Sequence, residues 1–315
     1  RHFRERWLHY GIMAASAASF YFISWPLLYT NPLRGLKWFW GSMFRMGTAG
    51  STHWQIDPLR QVITTTPEIM LLFLAIGMAV VVFLAAKGKG SVWRLLAVWM
   101  VIPILRMSIP SALNFDGIRH FLEFLPAAAL IAAVGVDQAA RWVGRKRWAS
   151  EALVRAVVVT ALALNLVQAY RLFYPYVHTY YNQLTGGLQG ARDRFLGDEA
   201  TDYIAASYRE GMEWLNEHAP RGSHVAALIA PWIVEVSGPV LLRPDIEIIT
   251  GSLPDFSVMK TSPEPYYLMF ILRRGMERES EDEIAYTEKR GVLEYQIFVD
   301  QVPILRIYRF GGESP

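Results

Sequence analysis

The residues best suited to chemistry fall in one short stretch. It runs from Arg106-Met107-Ser108-Ile109-Pro110 to Asn114-Phe115-Asp116-Gly117-Ile118-Arg119-His120-Phe121-Leu122-Glu123. Arg106, Arg119, His120, Asp116 and Glu123 all sit beside apolar runs. Charges at a bilayer boundary are costly and often mark a site. A guanidinium offers phosphate a planar fork of charge-assisted hydrogen bonds. One reading is therefore a pocket for a phosphate-linked lipid head group. The other is structural: Arg119 and Glu123 are spaced i, i+4 for an ion pair on a helix, and Arg106 can snorkel toward the interface.

A second cluster is Tyr180-Tyr181-Asn182. Two rings and an amide suit contact with a sugar or acceptor, and aromatic residues are also ordinary interface anchors. Asp202, Tyr203, Glu210 and Glu213 lie near the start of an expected helix, where acidic groups complement the dipole. Other signatures are missing. The chain carries no Walker loop, dinucleotide fingerprint, HExxH or GxSxG. Its seven histidines show no i, i+4 spacing, and zero cysteines exclude thiol and Cys-metal chemistry.

The elements that must position these residues are mostly apolar. Of 315 residues, 53% are hydrophobic and 19% charged, against roughly 25% charged in a typical soluble domain. The apolar excess lies before about residue 173, and most acidic residues follow about 190. This pattern predicts a helical multi-pass membrane region over 1–173 and a small α/β domain over 174–315. It excludes a purely soluble enzyme, a disordered chain and a fibrous repeat. The net charge of +3 is too small to suggest nucleic-acid binding.

A span needs roughly 20 apolar residues. Five stretches qualify, at about 8–30, 67–86, 93–113, 121–140 and 152–173. If the first end is cytoplasmic, the inner segments hold Arg1, Arg4, Arg6, Lys87, Lys89, Arg94, Arg141, Arg145, Lys146 and Arg147. The outer loops hold Arg34, Lys37, Arg45, Arg60 and Arg119. The excess favours that orientation, and five spans then place the α/β domain outside the cytoplasm. Leu33, Leu36, Lys37, Trp38, Trp40, Met43 and Phe44 predict an interfacial helix near 33–46. The chain opens at Arg1 on charged residues with no cleavage site, which reads as a segment with more chain upstream rather than a signal peptide.

In the second half, Thr185-Gly186-Gly187 and Gly190 mark loops. Ser207–His218 and Glu281–Arg290 read as helices. Stretches 224–230, 245–250 and 266–272 read as strands, and 294–300 with 304–310 as a hairpin turning at Gln301-Val302-Pro303.

The run from Arg106 to Pro126, with Asp116-Gly117-Ile118-Arg119-His120-Phe121, resembles the late membrane region of the C-superfamily glycosyltransferases. These use polyprenyl-phosphate sugars, and include the protein mannosyltransferases and bacterial aminoarabinose transferases. Thr64-Thr65-Thr66-Pro67, Tyr180-Tyr181-Asn182-Gln183-Leu184-Thr185-Gly186-Gly187 and Tyr208-Arg209-Glu210-Gly211-Met212-Glu213-Trp214-Leu215-Asn216 are similar to other parts of that family, as is Val302-Pro303-Ile304-Leu305-Arg306-Ile307-Tyr308-Arg309.

The resemblance covers nearly the whole chain, as the C-terminal portion of such an enzyme. It implies a multi-pass inverting transferase in the plasma (inner) membrane of a prokaryote. The donor would be a polyprenyl-phosphate sugar and the acceptor a glycan, lipid or protein. The catalytic carboxylate is implied upstream of residue 1, so this segment alone is expected to be inactive. A divalent metal is implied only if upstream carboxylates supply ligands. Arg119 matches the Arg of the family's loop motif and would hold the lipid phosphate first. His120, Arg106 and Lys37 follow, with Asp116 and Glu123 supporting and Glu123 orienting Arg119. The alternative is a non-catalytic membrane protein whose outer α/β domain binds a partner or glycan.

Overall fold

A computed structural model describes residues 2–25, 27–46, 52–112, 116–196, 200–273 and 280–312. Arg1, Ser51, Asn114 and Phe115 lie outside the described residues, as do the side chains of Arg4, Arg6, Met43, Phe44 and Arg45. The chain forms two units, Arg1–Gln55 with Ser108–Leu113, and Ile56–Met107 with Asn114–Pro315.

The first unit holds α1 (His2–Ser24), α2 (Leu27–Thr30) and α3 (Pro32–Met46). Helix α3 forms over the expected interfacial stretch. The Asn31 side chain accepts from the Arg34 N–H at 3.0 Å, and Pro32 follows as first helical residue, a favoured way to start a helix.

The second unit opens with α4 (Asp57–Thr65), α5 (Glu68–Ala86) and α6 (Ser91–Ser108). Helices α7 (Leu125–Arg145) and α8 (Glu151–Phe173) follow. Among the described residues four helices are long and apolar enough to cross a membrane: α5, α6, the run Leu122–Arg145 that contains α7, and α8. Helix α1 covers most of the first expected span but is not one of the four. Its His9, Tyr10, Ser16 and Ser19 dilute its apolar character.

Helices α5 and α7 pack backbone to backbone. A Cβ at Gly77 would run into the Ile131 carbonyl, and one at Gly135 into the Phe73 carbonyl. Without a hydrophobic drive inside lipid, such small-residue contacts supply the dispersion that holds membrane helices together. Helix α8 fully buries none of its apolar window, although Val158 packs against the helical core and Arg155 pairs with Asp137 of α7. The Ser150 hydroxyl accepts from the Leu153 N–H at 3.2 Å and caps its start.

The C-terminal part is a mixed sheet with helices α9 (Gly187–Ala191), α10 (Ser207–His218), α11 (Pro231–Leu241), α12 (Phe256–Thr261) and α13 (Glu281–Arg290). Strands β1 (His224–Ala227), β2 (Glu247–Ile248), β3 (Tyr266–Ile271), β4 (Val292–Val299) and β5 (Val302–Phe310) take the order β2-β1-β3-β5-β4. Strand β1 runs parallel to β2 and β3, while β5 runs antiparallel to β3 and β4. Central strand β3 buries residues 267–271 without alternation, as a strand covered on both faces does.

Several local expectations change. The strand expected to continue to Ala230 ends at Ala227, because Pro231 opens α11 after Ala230 in the left-handed region. Stretch 231–241 forms α11 although it carries β-branched residues and Pro239. Packing overrides propensity there: Val234 is buried, and a Cβ at Gly238 would come 2.5 Å from Ile248 Cδ1. Gly187 to Ala191, expected as loop, forms α9. The hairpin turns at Asp300-Gln301, both at positive φ, which matches the strand twist. Pro303 instead lies in β5 opposite a register shift at Ile297/Phe298.

Candidate functional site

Helix α6 and α7 are joined by a turn that gathers the predicted charges. Asp116 is buried in the left-handed region at φ 57°. Gly117 follows at φ 67°, with its Cα under the Tyr203 ring, where a Cβ would meet ring carbon Cζ at 3.2 Å. Residues Gly117–His120 then form a single 3-10 turn.

The ion pairs exchange the expected partners. Arg106, in the last turn of α6, donates from Nη2 to the His120 carbonyl and to Glu123 Oε1, both at 2.8 Å. Arg119 pairs with Asp116 through Nη2 and Oδ2. Glu123 was expected to orient Arg119, but it holds Arg106. Residues 117–120 are not α-helical, so the i, i+4 geometry does not arise.

Asp116 has a second cationic partner from a distant part of the chain. Arg273, just beyond β3, places Nη2 2.6 Å from Asp116 Oδ1, and both side chains are nearly inaccessible. Its Nη1 also donates to the Tyr203 carbonyl at 3.3 Å. Among the described residues, three guanidiniums (Arg106, Arg119, Arg273) thus face two carboxylates, Asp116 and Glu123. Burial, then the Arg119 charge, lowers the His120 imidazole below its ordinary value. His120 Nε2 lies 3.4 Å from Arg119 Nε. Arg106 and Arg119 keep about half of their side chains exposed, at 51% and 43%. Lys37 belongs to α3 of the first unit.

The aromatic cluster has a different role from the one expected. Asn182 is completely buried. Its amide Nδ2 donates to the Ile63 carbonyl at 2.6 Å and to the Thr66 carbonyl at 2.8 Å. Its backbone N–H donates to the Thr64 carbonyl at 2.8 Å, and its Oδ1 accepts from the Thr185 N–H. The N–H groups of Asn182 join it to the α4–α5 bend and its oxygens close its own turn on Thr185 and Gly187, so a sugar contact is not available to it. Tyr181 packs in the sheet core. Tyr180 lines a small apolar cavity of about 270 Å³ with Pro67, Leu166 and Tyr170. Burial, and next Glu68, push its hydroxyl up to about 12.

Asp202 is a buried carboxylate with several partners. It accepts from the Ala206 and Ser207 N–H groups, from the Ser207 hydroxyl at 2.6 Å, and lies 2.7 Å from His178 Nε2. Burial pushes its pKa up, but the hydrogen bonds from His178 and Ser207 together outweigh it and hold the carboxyl below its ordinary value. Asp202 thus complements the start of α10, as its position predicted. Glu210 accepts from the hydroxyls of Tyr176 at 2.5 Å and Tyr295 at 2.8 Å.

Arg273 and His178 escaped the sequence reading, and Tyr203 entered it only as a neighbour of Asp202. The only signal for Arg273 was an arginine directly after the apolar run Tyr266–Leu272. Among the described residues no three His, Asp or Glu side chains converge as a metal site. Compared with known proteins, the chain matches no family model, no curated protein and no solved structure.

Proposed function

We propose that the chain is part of a membrane glycosyltransferase that moves a sugar from a polyprenyl-phosphate donor to a glycan, lipid or protein acceptor. In this reading α1 is a fifth span, the first end is cytoplasmic, and the α/β domain lies outside the inner membrane of a prokaryote. One observation carries it: half-exposed Arg119 and Arg106 sit beside the ends of candidate spans, where a lipid phosphate would lie. Guanidiniums there would stabilise the departing phosphate as its charge grows.

The test is binding of undecaprenyl phosphate to the full chain in lipid nanodiscs. A charge-assisted hydrogen bond contributes about 1.5–3 kcal/mol, so Arg119→Ala should weaken binding roughly tenfold or more. Unchanged affinity in Arg119→Ala would remove the residue from the site, and unchanged affinity in Arg119→Ala/Arg106→Ala would sink the phosphate reading.

A second reading is favoured by the pairing of these cations. With Arg106 on Glu123, and both Arg119 and Arg273 on Asp116, the cluster can serve solely as a latch between the α6–α7 turn and the α/β domain. A non-catalytic membrane protein would then bind a partner or glycan through that domain.

A further inference from the structure

The geometry points to a binding crevice for a neutral saccharide at the carboxyl ends of β1 and β2, where residues across the α/β domain line a cavity of about 460 Å³. Its place follows from strand order. The chain leaves β1 toward β2 on one side, and leaves β3 toward β5 and β4 on the other. Where connections diverge beyond the carboxyl ends of parallel strands, open α/β sheets take ligands. The volume lies within the range of small-molecule sites. The Ser280 hydroxyl donates to the Leu228 carbonyl at 3.1 Å, tying the exits of β3 and β1 together across the crevice.

The lining selects the ligand. It offers the Glu283 carboxylate, the Ser252 and Ser280 hydroxyls, and apolar surface from Leu253, Pro254 and Phe256. Among the described residues no Lys, Arg or His lines it. A phosphate or other anion would meet the like charge of Glu283. A sugar ring has what this surface lacks: vicinal hydroxyls to donate to a carboxylate, and an apolar face to lay on proline and aromatic carbon. The inference concerns binding alone and stands whether or not the chain takes part in sugar transfer.

The experiment measures binding of maltotetraose, mannotetraose, chitotetraose and inorganic phosphate to the full chain in detergent, by calorimetry. At least one tetrasaccharide should bind. Glu283→Ala, and Ser252→Trp which fills the crevice from an exposed loop, should each weaken it about tenfold or more. Arg192→Ala, at a separate cavity, should leave affinity unchanged. Circular dichroism verifies that each variant is folded. Absence of binding by all three sugars overturns the proposal. So does affinity that ignores Glu283→Ala and Ser252→Trp, or inorganic phosphate binding that Ser252→Trp removes.

Discussion

Asp116 and Arg273 meet 2.6 Å apart with almost no solvent access. The aspartate lies in the turn between two candidate membrane helices and the arginine at the exit of the central strand β3. One buried ion pair therefore connects the helical part of the second unit to its sheet.

Removing one partner of a buried pair strands the other charge, at a cost of about 3–5 kcal/mol. Arg273→Leu should cost toward the lower end, since Arg119 still faces Asp116. Arg273→Leu/Asp116→Leu should recover much of the loss, because two apolar side chains leave no charge buried. Urea unfolding of the four proteins in a double-mutant cycle reads the coupling directly, and additive losses would show that the pair contributes no coupling.

Acid stability should depend on Asp202. Its carboxyl is held below the ordinary value, so the unfolded chain takes up its proton first as pH falls. The stabilisation is full above the ordinary carboxyl pKa of about 3.9, fades as pH falls toward the lower folded value, and is gone below it. Asp202→Asn should therefore lose most stability near neutrality, and the gap to the unmodified protein should narrow under acid. A gap that stays constant across the titration would contradict the shift.

The α5–α7 contact should tolerate no side chain at its closest points. Gly77→Val or Gly135→Val must push the facing carbonyl away. Overpacking of this kind costs about 1–3 kcal/mol, so each variant should lower the thermal midpoint in detergent. Gly41→Val, with open space around its Cβ position, should leave the midpoint unchanged.

The absence of cysteine makes the proposed orientation directly testable. Trp148→Cys in the α7–α8 loop and Glu247→Cys in the sheet should label from opposite sides of the membrane in intact cells. Labelling of both by an impermeant maleimide would overturn the orientation.

Much of the architecture was legible from local order. Helices over Ser207–His218 and Glu281–Arg290 form where spacing and charge predicted them. The later four spans appear as helices because a continuous apolar run can satisfy its backbone only within itself. The hairpin was legible in outline, but its turn was displaced to Asp300-Gln301, where Asp300 also accepts from the Leu188 N–H at 2.8 Å.

What the sequence by itself determined was where apolar runs, helix ends and strand pairs fall, because those depend on neighbours within a few residues. It also singled out Arg106, Asp116, Arg119, His120 and Glu123 as a group. Only the tertiary structure decided who pairs with whom. It gave Glu123 to Arg106, added Arg273 to Asp116, buried Asn182 as a staple, and made 231–241 helical against its propensity. Charges and amides select partners by distance and burial, and those are set by segments far apart along the chain.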